Sequence, residues 1–149
     1  MKLARLDSPA ARRIAASCGP CHLPIALHPS TQSWRGPLLG DVLKAAGMND
    51  RARYIVFHCA DDSNGRPYYE SIDLNDAFHP QTILALLMND HRLAVPHGAP
   101  VRLRVERQLG YKHAKFVMRI EARERIDDLY LGKGGFWEDR ADYAWYAGI

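Results

Sequence analysis

The residues best equipped for chemistry stand early in the chain, as Cys18-Gly19-Pro20-Cys21-His22. Three kinds of chemistry suit that spacing. A redox dithiol needs Cys18 at a helix N-terminus, where the dipole and free N–H groups stabilise a thiolate. Pro24 and Pro29 deny the segment that helix. A CxxCH run can tether a haem through two thioethers, with His22 as axial ligand. That attachment belongs to an oxidising compartment, and the opening MKLARLDSPAARR lacks the apolar stretch of an export signal, so haem is not expected. The third chemistry is a single thiolate, Cys18 or Cys21, ligating a soft metal from a loop. Against all three stands an inert pair of cysteines in a turn. Zinc is disfavoured, because His28 and Cys59 are available as further ligands but neither falls in a CxxC or HxxxH spacing.

The second informative stretch is HGAPVRLRVERQLGYKHAK, from His97 to Lys115. A glycine turn precedes a strand carrying Arg102 and Arg104, and a loop with Gly110, Lys112, His113 and Lys115 follows. Cations gathered beside a glycine turn suit an anionic ligand, since backbone N–H groups can approach it while Arg and Lys supply charge-assisted bonds. The plainer reading is a solvated basic face with Glu106 and Glu121 as its carboxylate partners.

Elements must hold these groups. Three prolines make residues 18–34 a loop, fed by a short strand over 12–17, with the residues up to Ser8 a surface lead-in. Residues 37–46 (PLLGDVLKAA) carry Leu38, Leu39, Val42, Leu43 and Ala46 at helical spacing, between a leading proline and a closing Gly47. YIVFHC (54–59) predicts a buried strand, DDSNGRP a turn and residues 68–74 its returning partner. Residues 76–88 predict a second helix capped by Asn75, burying Ile83, Leu84, Leu87 and Met88 and leaving His79 and His91 near helix ends. VRLRV (101–105) alternates strictly, KFVMRIEA (115–122) predicts a last core strand, and residues 130–146 are aromatic without a helical period. Several short strands with two helices and long connections make a mixed α+β domain.

Composition bounds the rest. A chain of 149 residues, 47% hydrophobic, is one globular domain's worth. Twenty Lys and Arg against 17 Asp and Glu, scattered along the chain, form no basic stripe for nucleic acid. No apolar run is long enough for a membrane helix. The expectation is a cytoplasmic protein, with the periplasm as the alternative compartment and neither nucleic acid nor membrane as partner. Three cysteines, two of them three residues apart, make no disulfide framework.

In order along the chain, WRGPLLGDVLKAAG, ARYIVFHCADD, ESIDLNDA, LLMND, VPHGAPVRLRV, LGYKHAKFVMRIE and GGFWEDRADYAWYAGI resemble the molybdopterin-binding domain of the sulfite oxidase superfamily. That superfamily includes the sulfite oxidases and the bacterial molybdenum-dependent protein methionine sulfoxide reductase catalytic subunit. The resemblance runs from about Arg12 to Ile149 and is most specific in HGAPVR, GYKHAK and FWEDRADY. It implies a single-domain α+β fold with a mixed-sheet, barrel-like core and short helices, shortened at its N-terminus because 17 residues precede Cys18. It implies a molybdenum–molybdopterin cofactor whose protein ligand, and the catalytic cysteine, is Cys18, with Cys21 as fallback. The resemblance further implies that His97 and Arg102 contact the pterin. His113, Ala114 and Lys115 receive its phosphate, Cys59 stands in the pocket wall, and Trp34 and Arg35 line the pocket. The implied reaction is oxygen-atom transfer on a small sulfur oxyanion or sulfoxide, with an electron-transfer protein as partner. The alternative is a cofactor-less binding or scaffold protein that keeps the fold.

Overall fold

The computed structural model describes residues 4–5, 32–62 and 65–149. Cys18, Cys21, His28 and the strand expected over 12–17 lie outside the described residues. In chain order the elements begin with strand β1 (Ala4–Arg5), β2 (Trp34–Arg35) and helix α1 (Leu39–Ala45), followed by β3 (Tyr54–Asp62) and β4 (Pro67–Asp73). Helix α2 (Leu74–Ala77), β5 (Thr82–Ala85), β6 (Leu87–Met88), β7 (His91–Arg92) and a 3-10 turn (Val95–His97) come next. The chain continues through β8 (Arg102–Val105), a second 3-10 turn (Gly110–Lys112), β9 (Val117–Arg123) and helix α3 (Glu138–Ala141). Among the described residues no helix is long and apolar enough to cross a membrane.

Four antiparallel strands in the order β1-β9-β3-β4 make the main sheet. The period of two sorts β3: Ile55 and Phe57 enter the main core, whereas Val56 packs on the other face with Tyr69 and Phe136. Helix α1 lays Leu39 and Leu43 on that core, and the β5–β8 ribbon closes it with Leu84 opposite Leu103. The ribbon's other face carries Ile83 opposite Arg104 and Ala85 opposite Arg102. Trp34 covers it, packed with Ile83, Ala85 and Leu93. The ribbon is thus buried on both sides along β5 but carries arginines on one side of β8, and that asymmetry creates the site.

Most elements lie where the sequence places them. The helix expected over 37–46 is α1, the strand expected over 54–59 extends to Asp62, and the last core strand starts two residues later and ends one later than expected, at Val117–Arg123. The helix expected over 76–88 does not form. Asp73, not Asn75, caps a single turn by accepting from the Asp76 N–H at 2.8 Å, and Pro80 stops it. Thr82, Ile83, Leu84 and Ala85 then run as β5, all four buried, because a strand sandwiched between two clusters needs no polar face. His79 follows the short helix and accepts from the Gln81 N–H at 3.2 Å, while His91 opens the exposed strand β7 rather than ending a helix. The presumed lead-in also contributes structure, since Ala4 and Arg5 pair with Ile120 and Arg119 at the sheet edge. Within the aromatic tail, residues 138–141 form the short helix α3.

Candidate functional site

The site begins with the alternation of β8. Leu103 and Val105 are fully buried, so Arg102 and Arg104 must point to the opposite face, where Trp34 lies. The two guanidinium groups sit 4.9 and 4.7 Å from the Trp34 ring, within cation–π range. Their partners differ. Arg104 makes a two-pronged bond to Glu106, at 2.6 and 2.8 Å. Arg102 donates to the His97 carbonyl at 3.3 Å, and its Nε is buried without a hydrogen-bond partner among the described residues. Burial first, then the neighbouring Arg104, lowers the Arg102 pKa from its ordinary value.

Two backbone segments frame the arginines. The 3-10 turn Val95–His97 ends in Gly98 at φ +105°, and the Gly98 carbonyl accepts from the Phe116 N–H at 3.1 Å. A Cβ on Gly98 would stand 2.9 Å from the Lys115 Cβ, so only glycine allows the turn and the 113–116 loop to lie this close. Lys115 Nζ reaches the Pro96 carbonyl at 3.5 Å, and its charge acts on Asp61 of β3. Ala114 is buried and its carbonyl accepts from the Leu103 N–H at 2.8 Å, which ties the loop to β8.

His113 is buried, and burial together with the Arg104 charge lowers its pKa to about 3. The ring is therefore neutral at pH 7. Its Nε2 faces the Gln108 carbonyl at 3.2 Å; a carbonyl can only accept, so Nε2 carries the proton and Nδ1 is left as an acceptor, buried and without a hydrogen-bond partner among the described residues.

The structure therefore brings together His97, Arg102, His113, Ala114 and Lys115, and adds Trp34 and Arg104 to them. Arg35 turns to Asp90 in an ion pair of 3.0 Å. Cys59, expected in the pocket wall, is half-buried on β3, pairs with Val117 and packs against the main core, and burial followed by the charges of Asp61 and Glu70 raises its thiol pKa. Lys112 does not join the cations at all. It is fully buried, with Nζ 2.8 Å from Glu70 and 2.5 Å from Glu138. Glu121, expected as a partner of the basic face, pairs instead with Arg119, Arg123 and His58 on the other side of the sheet. Glu70 and Glu138 were missed by the sequence reading. The available signal was Glu70 itself, whose strand register sets it opposite the core residue Phe57.

These residues suit an anionic, hydrogen-bonding ligand. A desolvated guanidinium with a free Nε, an imidazole with a free acceptor and a lysine held to a single carbonyl leave polar groups that a phosphate-bearing heterocycle would satisfy. Among the described residues no three His, Cys, Asp or Glu side chains are grouped to hold a metal ion.

Residues 26–130 match the family described as oxidoreductase molybdopterin binding domain, a span that begins after Cys18 and Cys21. The chain is 36% identical over 115 residues to a putative protein-methionine-sulfoxide reductase subunit YedZ1 of Azospira oryzae, covering 77% of this chain and 39% of that one. It is 35% identical over 99 residues to the mitochondrial sulfite oxidase of Drosophila melanogaster, covering 64% and 17%. It is 32% identical over 121 residues to the protein-methionine-sulfoxide reductase catalytic subunit MsrP of Xanthomonas campestris, covering 71% and 38%. The chain thus spans well under half the length of these relatives. The sulfane dehydrogenase SoxCD of Paracoccus pantotrophus shares the fold, with a TM-score of 0.57 at 22% identity over 78% of this chain and 30% of that one. With the family match extending over most of its length and the fold shared, the chain belongs to the oxidoreductase molybdopterin-binding domain family of the sulfite oxidases and MsrP.

Proposed function

We propose that this chain binds the molybdenum–pterin cofactor and uses it as an oxidoreductase, moving an oxygen atom to or from sulfur in a small sulfur oxyanion or a sulfoxide. The observation that carries the reading is Arg102: its half-buried guanidinium has no carboxylate in ion-pair contact among the described residues, and it stands beside His113 and across the Gly98 turn from Lys115. When bound, the cofactor supplies a two-electron oxygen-atom transfer that no side chain here can perform. The chain's own residues bind and orient. Arg102 and His97 face the pterin, and Lys115 with the backbone of His113 and Ala114 receives the phosphate. Trp34 stiffens the arginines by stacking.

Cys18 is the proposed thiolate ligand and Cys21 its fallback, on the sequence reading alone. Cys59 is a poorer candidate, because a thiol kept protonated by burial is not a ready ligand. Sulfur substrates are favoured because relatives are named for sulfite and for methionine sulfoxide. Relatives named as subunits support an electron-transfer protein as partner.

The test is metal and pterin analysis of the chain purified from cells that make the cofactor. One molybdenum per chain, lost in Cys18→Ala, is the expected result. Protein from the same cells with neither metal nor pterin would overturn the proposal in favour of a scaffold that keeps only the fold.

A further inference from the structure

Behind the phosphate loop lies a charged cluster with no route to solvent. Lys112, Glu70 and Glu138 are each 0 to 1% exposed, and they come from the second 3-10 turn, β4 and α3. Lys112 Nζ stands 2.5 Å from Glu138 Oε1 and 2.8 Å from Glu70 Oε2, with the Trp145 and Tyr111 rings centred 5.7 and 6.0 Å away. Gly135 closes the cluster: a Cβ there would collide with Glu138 Oε2 and lie 2.6 Å from Glu70 Oε2.

Lys112 is also where the cofactor-facing loop is anchored. Its N–H donates to the Leu109 carbonyl at 3.0 Å, its own carbonyl accepts from the Ala114 N–H at 3.0 Å, and the His113 N–H donates to Gly110 at 3.1 Å. The C-terminal segment grips the same turn, since the Leu109 N–H donates to the Ala147 carbonyl at 2.8 Å and the Tyr111 hydroxyl donates to the Ala144 carbonyl at 2.5 Å. The Lys112 backbone is thus bonded on both sides within the turn that leads into residues 113–115.

Charge counting then distinguishes the two glutamates. Two buried carboxylates facing one ammonium would leave an uncompensated negative charge, and the low-cost remedy is a single bound proton. Glu138 makes the shorter contact with Nζ and is the counter-ion. Glu70 takes the proton: burial, opposed by Lys112 and reinforced by Glu138, raises its pKa to about 8. The other titratable groups around the pair, Cys59 on β3, Tyr68 and Tyr69 on β4 and Tyr111 in the turn, are all shifted upward by burial and stay neutral.

We propose that Lys112 is a positioning residue for the loop 113–115, with Glu138 as its counter-charge and Glu70 as a neutral acid that completes the cage. The tail around residues 134–138 is then a working part of the cofactor site although it touches no ligand. This rests on the reading that residues 113–115 receive the cofactor's phosphate.

The test compares Glu70→Gln with Glu138→Gln. Gln mimics a protonated glutamate, so Glu70→Gln is expected to keep wild-type loop exchange and pterin release. Glu138→Gln is expected to speed amide hydrogen exchange at residues 112–116 of the cofactor-free chain about tenfold or more, while the amides of Ile55 and Phe57 keep their rates. From cofactor-making cells, the same variant is expected to release pterin on dialysis about tenfold faster than wild type. Equal behaviour of the two variants, or unchanged loop exchange in Glu138→Gln, overturns the proposal. Should Glu138→Gln alone fail to fold, the double variant Lys112→Met with Glu138→Gln leaves no orphaned charge. Fast loop exchange in that folded variant supports the positioning role, and wild-type protection overturns it. A wild-type chain without pterin would sink the cofactor reading instead, and the exchange asymmetry would still decide whether Lys112 sets the loop.

Discussion

Arg102 and Arg104 lean on the same Trp34 ring, yet among the described residues only Arg104 is held by a carboxylate, the two-pronged Glu106. The pair divides the labour of binding and structure. Arg102→Ala is expected to lower pterin content per chain severalfold while shifting the melting temperature little. Arg104→Ala leaves Glu106 half-buried without its partner and is expected to cost about 1–3 kcal/mol of stability. Pterin content and thermal melts of both variants check this. Equal melting losses with unchanged pterin would remove Arg102 from the site.

The Glu70 proton makes a prediction of definite sign. Its pKa is 4.5 ordinarily and about 8 in the folded chain, so folding favours the protonated form. The stabilisation is complete below the unfolded value, shrinks as pH rises, and is gone above the folded value. One proton gives a slope of at most about 1.4 kcal/mol per pH unit. Urea unfolding at a series of pH values from 6.5, above which His113 adds no slope, up to about 8 should show stability falling with pH, and Glu70→Gln should flatten that slope. Parallel slopes in the two proteins would place the proton elsewhere.

How far all this can be read from sequence depends on whether a residue's partners are local. Helix α1, β3, β8 and β9 are legible because each buries one stripe or one face, and the period shows it. β5 is not, since its burial on both faces erases the period and leaves an apolar run that fits a helix equally well. Pro80 was the local sign against that helix. In the candidate site, Arg102 and Lys115 are legible as cations beside a glycine turn on a short stretch of chain, whereas His97 enters only through the resemblance. Lys112 reads the same way in sequence, and only Glu70, 42 positions earlier, and Glu138, 26 positions later, turn it inward.

His113 predicts the opposite pH trend. Its pKa is 6.5 ordinarily and about 3 when folded, so below the unfolded value the unfolded chain takes up a proton that the folded one refuses. Its contribution is complete above pH 6.5 and is lost as pH falls toward 3. His113→Gln keeps a donor for the Gln108 carbonyl and removes the titration. The variant should therefore lose less stability than wild type on acidification, measured by urea midpoints below the unfolded value. An acid limb as steep as the wild-type one would mean that His113 is not buried as a neutral ring.

Trp34 joins the stability of the fold to the order of the site. It is 9% exposed, packs on Ile83, Ala85 and Leu93, and carries both arginines on its ring. Trp34→Ala removes a large buried ring and is expected to cost about 3–5 kcal/mol, whereas Trp34→Phe keeps an aromatic face at a smaller loss. If the ring only fills space, pterin retention should follow stability across the two variants. If it also orients Arg102, Trp34→Phe should bind pterin more weakly than its melting temperature suggests, because the smaller ring cannot support both guanidinium groups at once. Pterin release from each variant, measured at equal fractions below its own melting temperature, separates the two, and release matched to wild type in Trp34→Phe would confine Trp34 to packing.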